Sequence, residues 1–168
     1  MDLRPFDPAD AEPLTRMLHR AYAELGAQGL NFTAVDQSVA TTLYRASAGA
    51  SWVITEGDAI VATVAVSCPP GEALRGLSAE AGRPGRAWVN QLAVAPEHRG
   101  AGLARRLLDH GLAWARTQGA TSVGIDTAEP ATHLLALYQR WGFARVETIQ
   151  WPGKVYRSAV LVRPLDPP

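Results

Sequence analysis

Apolar and polar positions alternate with a period that changes several times along the chain, and each change marks an element. Leu14, Met17, Leu18, Ala21, Tyr22 and Leu25 recur at helical steps. They predict a helix entered at Asp7-Pro8 or Asp10 and stopped at Gly26, after a short strand over residues 1–6. A loop through Gln28-Gly29-Leu30-Asn31-Phe32 then leads to a second expected helix from about Asp36 to Ala48. From Ser51 the pattern turns to β-branched and apolar runs. Trp52–Thr55, a Glu56-Gly57-Asp58 turn and Ala59–Ser67 read as a hairpin.

The clearest helix is expected over Gly102–Gln118. At 100° per residue, Leu103, Ala104, Leu107, Leu108, Leu112, Trp114 and Ala115 share one half of the wheel, with Arg105, Arg106, Asp109, His110 and Arg116 on the other. A strand over Trp88–Ala95 precedes it. Thr121–Asp126 follows as a strand, Ala131–Trp141 as a helix, and Phe143–Gln150 and Val155–Arg163 as closing strands. Residues 69–86 are rich in Gly, Pro and small side chains and are expected to form a mobile loop. Hairpins combined with one strand–helix–strand crossover predict a mixed sheet of α/β or α+β class. No internal repeat is present, and residues 1–168 are expected to form a single domain.

Composition narrows the function classes. Sixteen Lys+Arg balance sixteen Asp+Glu for a formal net charge of zero, which argues against a nucleic-acid or anionic-membrane coat. One cysteine, Cys68, excludes a disulfide framework and a cysteine-built zinc site. His19, His98, His110 and His133 show no metal-like spacing with carboxylates, so no metal is expected. No run approaches the roughly 20 apolar residues of a membrane span, and the first residues have no signal-peptide character. A cytoplasmic protein is expected, with neither nucleic acid nor membrane as partner.

The chemistry concentrates in Leu92-Ala93-Val94-Ala95-Pro96-Glu97-His98-Arg99-Gly100-Ala101-Gly102-Leu103-Ala104. A strand ends there and a helix begins beside two glycines. Glycine admits a ligand close to the backbone, and the first N–H groups of a helix together with its dipole favour an anion such as a pyrophosphate. A nucleotide-hydrolase loop needs a Gly-Lys-Ser/Thr ending, which is missing. A dinucleotide fingerprint needs a small residue where Arg105 stands, so that reading stays open only as an alternative. A plain tight turn is the third reading.

A second element decides between them. The run Leu92-x-Val94-x-Pro96-x-x-Arg99-Gly100-x-Gly102-Leu103-Ala104, followed by Leu137-Tyr138-x-x-x-Gly142-Phe143, resembles the GNAT superfamily of acyl-CoA-dependent N-acyltransferases. The resemblance is most specific over residues 88–143. It implies a mostly antiparallel sheet with a central splayed strand, flanked by about four helices. It also implies acetyl-CoA as co-substrate, its pyrophosphate on the amides of Arg99, Gly100, Ala101, Gly102, Leu103 and Ala104. The pantetheine arm would lie along Leu92, Ala93 and Val94. Tyr138 would be the general acid that protonates the departing thiolate. Read by periodicity alone, Tyr138 shares a stripe with Leu134, Leu137 and Trp141 and reads as a core tyrosine whose hydroxyl finds a partner.

The family's pattern is not met everywhere. Glu97 stands where Gln or Arg is usual and must face solvent to avoid repelling a pyrophosphate, and Ala131 replaces an Asn that contacts the cofactor. The strand Trp88-Val89-Asn90-Gln91-Leu92 carries no titratable base; Asn90 or Gln91 could orient a water, and Asp36, Asp126 and Glu129 are more distant candidates. Asn31 and Phe32, with Asn90 and Gln91, are candidate acceptor contacts, because the resemblance places the first two helices over that site. Trp88, Trp141 and Trp151 are either core or acceptor-lining. The implied activity is acetyl transfer to a primary amine of a small molecule or a protein. A catalytically silent coenzyme A-binding module and a nicotinamide-dependent enzyme are the competing readings. Dimerisation is common in such folds, and a homodimer is compatible with the sequence.

Overall fold

The computed structural model describes residues 1–167. Its strands are β1 (Asp2–Pro5), β2 (Ala50–Glu56), β3 (Ala59–Ser67), β4 (Arg86–Val94), β5 (Ser122–Ala128), β6 (Ala144–Ile149) and β7 (Ser158–Pro164). Its α-helices are α1 (Ala11–Ala27), α2 (Val39–Ser47), α3 (Glu72–Leu77), α4 (Leu103–Thr117) and α5 (Thr132–Arg140). The strands make one mixed sheet in the order β1-β2-β3-β4-β5-β7-β6. β4 and β5 run parallel, whereas β1–β2, β2–β3, β5–β7 and β6–β7 are antiparallel. The α/β class and the mostly antiparallel mixed sheet are thus present. Five α-helices occur among the described residues where about four were expected. By internal contacts the chain divides into two compact units, Met1–Val66 with Asn90–Ala113, and Ser67–Val89 with the chain from Trp114 onward.

In the first unit, Asp10 closes a capping box with Asp7 ahead of α1 and takes a two-pronged hydrogen bond from Arg4 at 2.7 and 2.8 Å. That bond holds the Asp10 carboxyl below its ordinary range, and the Asp7 N–H adds to it. α1 buries Leu14, Met17 and Leu18 and runs through Gly26, the expected stop, to Ala27. The reversal falls at Gly29, where the Leu30 N–H donates to the Leu25 carbonyl at 3.1 Å. Gly26 serves packing instead: a Cβ there would lie 2.8 Å from Val35 Cγ1. α2 begins three residues later than expected, at Val39, because Ser38 Oγ caps it through the Thr41 N–H while Thr33–Val35 form a 3-10 turn. The hairpin closes through Gly57-Asp58, with Glu56 opposite Ala59. α4 buries the expected face, with Leu107, Leu108 and Leu112 nearly inaccessible. Gly111 joins that face and brings the helix so close to β3 that a Cβ would lie 2.8 Å from Val66 Cγ2.

In the second unit lies the segment 69–86, expected from its composition to be a mobile loop. It contains α3 and sends Leu74, Ser78, Ala81 and Arg86 inward. Glu147 on β6 holds it, accepting from Ser78 Oγ at 2.5 Å and the Ala79 N–H at 2.9 Å. Leu74 and Ala81 pack on Trp88, Ile149 and Val160. The β4–β5 ladder pairs Arg86–Val89 with Ser122–Ile125, and β4 continues for five residues beyond that ladder, through Asn90–Val94. Opposite Trp88 in this register stands Gly124, and the indole lies across it, leaving only 2.2 Å between the Trp88 ring and a Cβ at 124. Gly124→Ala is therefore expected to cost about 1–3 kcal/mol or more of stability, since Trp88 is fully buried and cannot swing away. Chemical denaturation checks this, and an unchanged midpoint would contradict it.

Candidate active site

β4 leads into the loop through Ala95, whose N–H donates to the Val61 carbonyl at 2.8 Å, and through a 3-10 turn at Pro96–His98. Pro96 removes a donor and ends the strand, and the turn redirects the chain toward α4. Gly100 and Gly102 both have positive φ, 81° and 77°, a region that costs other residues roughly 1–2 kcal/mol. A Cβ at either position would meet no atom within 4 Å, so the backbone there borders open space. The Arg106 N–H donates to the Gly102 carbonyl at 3.0 Å and closes the first turn of α4. The N–H groups of Leu103, Ala104 and Arg105 therefore precede the first helical bond and have no acceptor within the helix. Helix dipole and free donors together make this end of α4 suited to an anion.

The charged side chains around the loop are turned elsewhere. Arg99 donates to the Ala21 carbonyl at 2.8 Å and lies 3.6 Å from Glu24, which ties the loop to α1. Arg105 pairs with Asp109. Glu97 is exposed and engages Arg20 at 2.9 Å. Its own backbone N–H and then Arg20 hold its carboxyl below the ordinary range. His98 Nε2–H donates to Glu56 at 2.9 Å. The side chains of Arg99, Arg105 and Glu97 are thus engaged within the protein.

The far half of β4 is gripped by side chains from α1 and α2. Arg45 donates to the Asn90 carbonyl at 2.9 Å and to Gln91 Oε1 at 3.1 Å, and Tyr22 donates to the Leu92 carbonyl at 3.3 Å. Burial pushes the Tyr22 phenol up. Arg45 also reaches Gln37 Oε1 at 2.9 Å, and Gln37 is joined through Thr42 to Thr15 by bonds of 2.7 and 2.6 Å. Arg45, Tyr22 and this buried threonine–glutamine network were not legible in the sequence; among 16 basic residues nothing marks Arg45. Of the expected acceptor contacts, Asn90 and Asn31 are exposed, and Phe32 packs on Tyr22 with ring centroids 5.5 Å apart. Gln91 is buried, and its Nε2 has no hydrogen-bond partner among the described residues. A buried donor left without a protein acceptor costs roughly 1–3 kcal/mol unless water or another group meets it.

Tyr138 belongs to the second unit, in the last turn of α5. The helix ends in a Schellman closure: the Phe143 N–H donates to the Tyr138 carbonyl and the Gly142 N–H to the Gln139 carbonyl, both at 3.0 Å, with Gly142 at φ 87°. This explains the Tyr-x-x-x-Gly-Phe spacing physically, because the residues at its two ends are the partners of the longer bond. Tyr138 is buried, with ring centroids 6.0 Å from Trp141 and 6.2 Å from Phe143. Asp126 accepts from the indoles of Trp88 and Trp151. Glu129 pairs with Arg145, and Asp36 is exposed. Ala131 is buried at the start of α5 and offers no side-chain cap.

A glycine-bounded strand–helix junction within a mixed sheet suits an anion, and comparison with known proteins specifies the family. The model of the acetyltransferase (GNAT) family matches residues 15–143, and the chain belongs to that family, an acyltransferase. Among solved structures, it is similar to the ribosomal-protein alanine N-acetyltransferase from Escherichia coli, with 15% identity, a TM-score of 0.71, and 98% of this chain and 94% of that one covered. It is also similar to aminoglycoside 6'-acetyltransferase type Ii, with 14% identity, a TM-score of 0.73, and 100% and 99% covered. A third similar structure is an IAA acetyltransferase from Bacillus cereus, with 18% identity, a TM-score of 0.66, and 98% and 99% covered. No curated protein matches the sequence. No helix among the described residues is long and apolar enough to cross a membrane.

Proposed function

We propose that the chain is an N-acetyltransferase that moves an acetyl group from acetyl-CoA to a primary amine by direct attack in a ternary complex. The observation that carries this reading is the loop at Gly100 and Gly102, where positive φ angles and open space at both Cβ positions precede the first N–H groups of α4, which have no acceptor within the helix. The amides of Arg99–Ala104 would hold the pyrophosphate, and the backbone of Leu92–Val94 would align the pantetheine. An N–H of that strand would polarise the thioester carbonyl and stabilise developing negative charge on its oxygen.

In the reaction the amine nitrogen forms a bond to the carbonyl carbon, the carbon–sulfur bond breaks, and the sulfur leaves as a thiolate. Tyr138 gives that thiolate its phenolic proton, and the proton of the amine passes to solvent. A phenol ordinarily near 10 and a thiol near 8.5 are close enough for the transfer to be inexpensive. Holding amine and thioester together supplies much of the acceleration. On this reading residues 1–168 act as one acyltransferase domain in the cytoplasm. The acceptors of the similar proteins, a ribosomal-protein alanine and an aminoglycoside by their names, support either a protein or a small amine here. Titration of the protein with acetyl-CoA, set against a reduced dinucleotide, tests the reading.

A further inference from the structure

β4 runs on through Asn90–Val94 past its ladder to β5, and one bond tells which way its backbone groups point there. The Ala95 N–H donates to the Val61 carbonyl of β3. In an extended strand the N–H and C=O of one residue share an edge, and residues two apart share it too. Burial alternates residue by residue between Asn90 and Ala95, so no bulge interrupts the count. The backbone groups of Gln91 and Ala93 therefore face β3, and those of Asn90, Leu92 and Val94 face the opposite edge.

Two carbonyls on that opposite edge receive side chains from the helices. Arg45 Nη2 donates to Asn90 at 2.9 Å, and the Tyr22 hydroxyl donates to Leu92 at 3.3 Å. Arg45 is itself fixed, because its Nη1 bridges Gln37 Oε1 at 2.9 Å and Gln91 Oε1 at 3.1 Å. Behind it, buried Gln37 donates to Thr42 Oγ1 at 2.7 Å, and Thr15 donates to the same oxygen at 2.6 Å. The His19 Nε2–H donates to the Gln37 carbonyl at 2.8 Å. A guanidinium presents its donors in a planar fork, and with Gln37 on one side and β4 on the other this fork has one direction. Bonds from a charged donor are also roughly twice as strong as neutral ones. Arg45 thus sets where the edge lies more firmly than the longer bond from the neutral Tyr22 does.

We propose that Arg45 is a positioning residue for the arm of the cofactor: it fixes the β4 edge that carries the Leu92 and Val94 N–H groups, against which the pantetheine chain pairs. The proposal rests on the transferase reading. Arg45 acts through the strand alone. The loop from Arg99 to Ala104 is tied separately, through Arg99 to the Ala21 carbonyl, so the hold on the arm and the hold on the pyrophosphate can be disturbed independently.

The test is calorimetric titration of the full chain and its Arg45→Met variant with two ligands, acetyl-CoA and 3′-phospho-ADP, the latter being coenzyme A without its pantetheine arm. The expected result is a loss of about tenfold or more in acetyl-CoA affinity, the worth of one or two hydrogen bonds to the strand, with 3′-phospho-ADP affinity unchanged within about twofold. An Arg45 that merely tied helix to strand would move both ligands together, or neither, and shift only the melting temperature. Equal losses for both ligands, or no loss for acetyl-CoA, in a variant that melts cooperatively would overturn the proposal alone. Acetyl-CoA binding without measurable 3′-phospho-ADP binding in the unmodified protein would overturn it too, because the loop would then have no hold of its own. If Arg45→Met fails to melt cooperatively, Arg45→Lys, which keeps the charge and loses the fork, is read on the same two ligands. An unmodified protein that binds neither ligand would sink the transferase reading and this proposal with it.

Discussion

Replacing Tyr138 by Phe is expected to lower turnover by roughly 10²–10⁴-fold while leaving acetyl-CoA affinity within about twofold. The substitution removes one oxygen and no ring volume. The packing of the ring on Trp141 and Phe143, and the Schellman closure through the Tyr138 carbonyl, are both retained. Any loss of stability should stay near 1 kcal/mol, the scale of one hydrogen bond. Without the phenol the thiolate must leave unprotonated or wait for water, so the loss should appear in kcat, with the KM for acetyl-CoA little changed. Steady-state kinetics with a melting curve separate the two roles open to this residue. A variant of normal speed would make Tyr138 a core residue only.

The second large effect is expected at the loop. Gly100→Val or Gly102→Val should abolish measurable acetyl-CoA binding in a protein that still unfolds cooperatively. Backbone strain and steric exclusion both act there, and they differ in size. The positive φ makes a valine there strained by roughly 1–2 kcal/mol, a cost the fold can bear. Steric exclusion weighs more: the Cβ points into space empty of protein atoms, where the branched side chain would stand in the path of a pyrophosphate approaching the backbone donors. Calorimetry on the variant measures binding, and thermal denaturation measures the fold. Tight binding retained by a folded variant would place the cradle elsewhere.

What the sequence made legible follows from how local each cause is. The buried face of α4 is set by its own residues, and Leu107, Leu108 and Leu112 turned inward as the wheel required. The spacing from Tyr138 to Gly142 and Phe143 is a helix ending whose bonds lie within six residues, so the motif and its geometry are the same object. Gly100 and Gly102, legible as a junction where a strand gives way to a helix, both have positive φ. Causes that lie far away in the chain were hidden. α3 holds only six residues, including Gly76, and is anchored by Glu147, 69 positions after Ser78. Gly26 looked like a stop because the nearby Val35 that needs its missing Cβ belongs to a separate turn. The hold of Arg45 on Asn90 and Gln91 spans 45 and 46 positions and leaves no local mark. In the same way, the partnership of Asp126 with two tryptophans depends on strand register and not on spacing.

Calorimetric titration of the purified protein with acetyl-CoA, with a reduced nicotinamide dinucleotide as the control, tests the central claim most directly. The account predicts saturable binding of acetyl-CoA in the micromolar range and none of the dinucleotide. A folded protein that ignores acetyl-CoA, or that binds the dinucleotide in its place, would contradict it.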